Sequence, residues 1–98
     1  MIINKTIEQA TLVLAPVGRL DTITAPELER ELDASVDGIK EIIIDLKEVE
    51  YISSAGLRVI LKAKKLMGIN GKMKVTGANA MIMEVFDITG FADMITIE

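Results

Sequence analysis

The residues best placed to do chemistry in this 98-residue chain are two adjacent serines, Ser53 and Ser54. They follow the compact run Glu41-Ile42-Ile43-Ile44-Asp45-Leu46 by a short connection and stand where a helix is expected to begin. The first N–H groups of a helix have no intrahelical acceptor, and the helix dipole adds positive potential at that end. A negative charge is therefore favoured there. Two readings are open. The hydroxyls cap the helix by accepting from its first N–H groups, or one of them carries a phosphate that the helix end receives.

Composition narrows the alternatives. The chain has no Cys and no His, which excludes disulfides, thiolate chemistry, His-ligated zinc, a Ser-His-Asp triad and any imidazole base. Ile52-Ser53-Ser54-Ala55-Gly56 lacks the first glycine of a nucleophile elbow. Gly71-Lys72 follows Gly68 without the spacing or the Ser/Thr of a phosphate-binding loop. No catalytic residue, cofactor or metal site is expected. Net charge is −4, with one Tyr, two Phe and no Trp. That is the wrong balance for nucleic acid, whose backbone attracts clustered Lys and Arg. No basic-then-apolar leader opens the sequence and no apolar run approaches membrane-spanning length. The expected compartment is the cytoplasm.

Half of the residues are hydrophobic, enough for one core and one domain spanning residues 1–98. Residues 2–8 and 11–17 are two strand-like runs, the second dense in strand formers. Pro16 argues for an edge or a strand end, and Gly18 for a bulge or turn. Thr24-Ala25-Pro26-Glu27 reads as a helix start, with Thr24 and Glu27 spaced as a capping box. That helix runs to Val36 on a stripe of Leu28, Leu32 and Val36. Residues 41–46 are apolar on both faces and predict a central strand covered from both sides. Residues 47–52 connect it to a helix over 54–67 with Leu57, Ile60, Leu61 and Leu66 inward, stopped by Gly68 and Gly71. Residues 72–77 alternate as a strand. Asn79 caps a third helix to about residue 88, with Gly90 as its stop, and residues 94–97 close the chain as a strand. The order β-β-α-β-α-β-α-β predicts an α/β fold, a mixed, mostly parallel β-sheet packed with helices.

The segment from Asp45 to Leu61 resembles the signature of the STAS domain, the fold of bacterial anti-sigma factor antagonists. In that family a strand ending in Asp/Asn-Leu leads to an apolar-rich loop and an Asp-Ser-Ser/Thr/Ala-Gly-Leu turn, and the phosphorylated serine follows the Asp. On this chain Ser53 takes the Asp position, Ser54 the phosphoacceptor position, and Ala55-Gly56-Leu57 completes the turn. Gly18-Arg19-Leu20-Asp21 resembles the family's Gly-x-Leu-Asp, whose Asp lies near the acceptor serine. Residues 85–91 resemble its late helix and glycine-containing exit. The likeness covers nearly the whole chain.

The resemblance implies an anti-sigma factor antagonist, which is a protein-binding module and not an enzyme. Its partner would be an anti-sigma factor that is also a serine protein kinase. Phosphorylation of Ser54 would end binding, and a PP2C-type phosphatase would restore it. Asp21, Thr22, Ile23, Thr24, Tyr51, Ser53, Ser54, Gly56 and Arg58 would form the binding face of a monomer. Asp21 has a second reading as part of a polar turn. Arg58, four residues after Ser54, shares its helix face and could meet an acidic partner or a phosphate; its alternative is a solvated basic face shared with Lys62, Lys64 and Lys65. The same fold could instead serve as an accessory subunit of a transporter or a stress-signalling scaffold without a switch. A small phosphotransferase is the reading from another class.

Overall fold

A computed structural model describes residues 1–98. Its strands are β1 (Ile2–Glu8), β2 (Thr11–Leu20), β3 (Glu41–Asp45), β4 (Val49–Ile52), β5 (Lys72–Thr76) and β6 (Thr96–Ile97). Its helices are α1 (Ala25–Ser35), α2 (Ser54–Met67) and α3 (Ala80–Thr89), with a 3₁₀ turn at Phe91–Asp93. The sheet order is β1-β2-β3-β5-β6, and β4 pairs with the far end of β2. β1 and β2 are antiparallel; every other pair is parallel.

β4 falls in the segment expected to be a connection. Its signal is present in Val49, Tyr51 and Ile52, all strand formers, but four residues are too few for a period to show. β2 is longer than expected because it serves two partners in turn. Thr11 to Leu14 pair with β3, and Gly18 to Leu20 pair with β4. Pro16 lies inside this strand, not at its end. Gly18 N–H donates to Glu48 O at 2.9 Å on the β4 side, and a strand's N–H groups alternate in direction. An N–H at position 16 would point the same way, into the gap where β3 has left and β4 has not begun, so the missing donor costs no ladder bond. Gly18 itself has φ of 103° at the register shift before Arg19, the expected bulge.

The crossovers β2–α1–β3, β3–α2–β5 and β5–α3–β6 step the same way across the sheet. Right-handed crossovers then place all three helices on one face. Burial agrees. Leu12 and Leu14, their register partners Ile42 and Ile44, and Val75 are buried with Leu28, Leu32, Ile60, Ile82 and Phe86 in a single core. Val13 and Ile43, on the opposite face, are half-buried. The expected two-sided cover of residues 41–46 is therefore not found: an all-apolar run does not reveal which of its faces meets a helix. Each fully buried Leu or Ile of the inner face contributes about 1.5–3 kcal/mol. Phe86 and Phe91, stacked with centroids 5.9 Å apart, close the core beneath α3. Asn79 caps α3 as its position implied, accepting from Ile82 N–H at 2.8 Å.

Candidate functional site

The ends of β2 and β4 meet side by side, Arg19 opposite Tyr51 and Leu20 opposite Ile52. Ser53 N–H donates to Leu20 O at 2.9 Å. That bond brings the loop after β2, with Asp21, Thr22, Ile23 and Thr24, next to the first turn of α2, with Ser53, Ser54 and Gly56. Tyr51 and Arg58 flank them on β4 and one helical turn along α2. The residues singled out in the sequence thus form one neighbourhood at one end of the sheet.

They do not all face solvent. Gly56 is buried, and a Cβ there would lie 2.8 Å from Ile52 Cγ1 and 2.9 Å from Leu20 Cγ. Its small size lets α2 press onto the ends of β2 and β4, so it shapes the face from beneath and offers no side chain to a partner. The Ser53 Oγ is buried without a hydrogen-bond partner. Ser54 is exposed, Ile23 is 80% exposed, and Arg58 is exposed with no ion-pair partner.

Neither serine caps α2. Ser53 holds the cap position with extended backbone and makes no side-chain bond to the helix. The first helical backbone bond is Leu57 N–H to Ser53 O at 3.0 Å, and the N–H groups of Ser54, Ala55 and Gly56 donate to nothing in the protein. The positive end of α2 is left open beside the Ser54 hydroxyl.

The start of α1 is organised differently. Thr24 has helical backbone and makes no capping bond, and Glu27 accepts from the Met1 ammonium at 2.6 Å, so the expected Thr24–Glu27 box does not form. The box sits one turn earlier. Asp21 Oδ1 accepts from Thr24 N–H at 3.0 Å, while Thr24 Oγ1 accepts from Asp21 N–H at 2.9 Å; that reciprocity defines a capping box. Ile23 N–H also reaches Asp21 Oδ1 at 3.0 Å, and the Thr24 hydroxyl donates to Arg19 O at 2.7 Å. The Thr24 N–H bond, helped by Ile23 N–H, the Thr24 hydroxyl and the Arg19 charge, holds the Asp21 carboxyl below the ordinary carboxylate range against an opposing effect of partial burial. Asp21 is therefore engaged in its own loop, and its polar-turn reading is realised.

Arg19 was not among the expected site residues. Its guanidinium lies 4.2 Å from the Tyr51 ring centroid, with Nε 3.9 Å from Asp21 Oδ2. The contact depends on the β2–β4 pairing, so it was invisible while β4 read as a loop. Between the starts of α1 and α2 runs a groove of about 360 Å³, with Thr22 and Pro26 on one side, Ala55 and Arg58 on the other. Further along, Lys62 donates to Glu29 at 2.7 Å and Asp33 at 3.0 Å. The Glu29 bond, then that to Asp33, raise its pKa. Lys62 thus ties α2 to α1 and does not belong to a solvated stripe. No group of three or more acidic side chains is placed to hold a metal ion.

This arrangement defines a class: a two-layer α/β domain, one sheet with its helices on one face, that presents an exposed serine at an open helix start. The chain belongs to the STAS domain family, whose model matches residues 2–98. It is 40% identical over 82 residues to BtrV of Bordetella bronchiseptica, which carries the provisional name of anti-sigma factor antagonist; the match covers 82% of this chain and 71% of that one. It is 35% identical over 79 residues to the anti-sigma-B factor antagonist of Staphylococcus aureus, covering 79% and 73%. The fold matches the Bacillus anti-sigma factor antagonist SpoIIAA, 14% identical, in its unphosphorylated form (TM-score 0.78, covering 99% of this chain and 87% of that one) and its phosphorylated form (0.77, 99% and 91%).

Proposed function

We propose that this chain is an anti-sigma factor antagonist switched by phosphorylation of Ser54. Unphosphorylated, it binds an anti-sigma factor that is also a serine protein kinase, and so frees a sigma factor for transcription. The kinase transfers the γ-phosphoryl group of ATP to the Ser54 hydroxyl, which gives up its proton, and ADP leaves. Binding then ends. A PP2C-type phosphatase hydrolyses the ester and restores the binding form. ATP and metal are brought by these partners; the chain itself is a cytoplasmic binding module. The names of its 40% and 35% identical relatives support the general role.

The observation that carries the switch is the open start of α2. Ser54 is exposed, and three N–H groups beside it are unused. A phosphate there adds about −1.5 to −2 charges at neutral pH, which the helix end and Arg58 one turn on receive favourably. The fold therefore survives, and the effect acts at the surface. SpoIIAA, which matches this chain equally well with and without phosphate, is a precedent for a fold that tolerates it. Around Ser54, the exposed Ile23, the Arg19–Tyr51 stack and Arg58 supply an apolar contact and two cations for a partner with acidic groups.

The test is phosphopeptide mapping after incubation with the partner kinase and ATP, alongside affinities of Ser54→Asp and Ser54→Ala. Phosphate should appear on Ser54, since the Ser53 hydroxyl is buried. Ser54→Ala should bind and escape control. Ser54→Asp should lose about 2–5 kcal/mol of binding, roughly 30-fold to several-thousand-fold. Phosphate on Ser53 alone, or wild-type affinity in Ser54→Asp, overturns the switch.

A further inference from the structure

The opposite end of α2 has a different character. Beyond its last turn, the loop through Gly68 and Gly71 carries Ile69, which is 100% exposed, and Leu66 and Met94 nearby are each 42% exposed. Leu61, Lys64, Lys65, Gly68, Ile69 and Met94 line a groove of about 470 Å³. A second groove of about 240 Å³ shares Lys64 and Gly68 with it and adds Lys72. Lys64 donates to the Met94 carbonyl, fixing the 3₁₀ segment against α2. None of Lys64, Lys65 and Lys72 is in an ion pair. No carboxylate lines either groove, in a chain whose net charge is −4.

Apolar groups exposed together in this way mark an interaction surface more often than chance. The charge says what fits. Lys64 and Lys65 beside Leu61, Ile69 and Met94, with Lys72 in the adjoining groove, complement a partner that brings aliphatic side chains flanked by carboxylates. The shape says how it fits: a shallow, open groove edged by Ile69 and Met94 receives side chains projecting from one face of a helix. We propose that this end of the molecule is a second docking surface, for an acidic amphipathic helix of a partner protein. The lining of this surface on α2 starts at Leu61, about 7 residues or roughly 10 Å of helix from Ser54, and runs past the last turn. It therefore stays available whether or not Ser54 carries phosphate, and a partner held here is not released by the switch.

The full chain should be titrated, with amide shifts followed by NMR, against three probes: a designed amphipathic Leu/Glu helix peptide, its Leu/Lys counterpart, and phosphatidylglycerol vesicles. The Leu/Glu peptide should bind saturably and move the amides of Leu61, Lys64, Lys65, Ile69 and Met94. Lys64→Glu with Lys65→Glu should weaken it at least tenfold, Ile69→Ser severalfold, and Ser54→Asp not at all. All these positions except Leu61 are exposed, so the variants should fold, and unchanged spectra away from the groove verify that. The proposal is overturned if the Leu/Glu peptide moves no groove amides or binds no more tightly than the Leu/Lys peptide. It is also overturned if only the vesicles act at the groove, or if Ser54→Asp abolishes peptide binding.

Discussion

Two helices begin within a few ångströms of the same strand ends, and they begin in opposite ways. At α1 the donors are spent. Ile23 and Thr24 give their N–H groups to Asp21 Oδ1, Ala25 to Asp21 O, Glu27 and Leu28 to Thr24 O, and Pro26 has none to give. At α2 the N–H groups of Ser54, Ala55 and Gly56 are unspent, although two serines stand at the helix start and the Ser53 hydroxyl is buried without a partner. A helix start that is fully satisfied is an anchor. One that leaves three donors next to an exposed hydroxyl presents an open, positive helix end at the surface. The same residue types, Ser, Thr and Asp, produce both, and the backbone decides which: Ser53 is extended and held to Leu20 O, which turns its Oγ into the interior.

The comparison can be broken most forcefully at Gly56. A methyl group there meets Ile52 and Leu20 inside 3.0 Å. Overpacking costs about 1–3 kcal/mol, against a gain of up to about 1 kcal/mol in helix propensity. Gly56→Ala should therefore lower stability by about 1–2 kcal/mol, or several degrees in Tm, by lifting α2 from the strand ends. An unchanged melting temperature would mean that the close approach does not constrain the site.

The two caps can be weighed against each other directly. Thr24→Ala strips Asp21 N–H and Arg19 O of their partner and should cost about 1–2 kcal/mol. Ser53→Ala removes only a buried hydroxyl that bonds to nothing. It should be neutral or stabilising by up to about 1 kcal/mol, because the hydroxyl is desolvated without return. Urea denaturation of both variants measures the contrast, and equal losses would erase the distinction between the two helix starts.

A finer effect lies in pH. The Asp21 pKa is lowered in the folded state, so its contribution to stability is fully present above the unfolded value of about 3.9. It is lost as pH falls through the lower folded value. The wild type should lose stability relative to Asp21→Asn across that acid window and be indistinguishable in slope from it at neutral pH. Carboxyl NMR titration of Asp21 gives the folded pKa directly, and a value at or above 3.9 would contradict the capping role. Charge removal at Arg58, which has no partner in the protein, should change stability by less than about 0.5 kcal/mol.

What depends on neighbours along the chain was legible in the order of the amino acids. Helices expected near 24–36, 54–67 and 79–88 and found at 25–35, 54–67 and 80–89 follow from apolar spacing and glycine stops, the Asn79 cap from its position, and the order of the elements other than β4 from the alternation of periods. The Ser54 segment was legible because its pattern is contiguous. Tertiary structure decided what depends on residues far apart. β4 exists because the end of β2 offers it a partner, and with it comes the Arg19–Tyr51 stack. The three helices gather on one face because every crossover turns the same way, which no single apolar run records. The cap moved from Thr24–Glu27 to Asp21–Thr24 because the chain leaving β2 already curls into a helical turn at Asp21, with Ala25 N–H on Asp21 O. Whether a serine caps, is buried or faces solvent depends on the direction in which the folded backbone aims one short side chain, and its identity and spacing do not contain that direction.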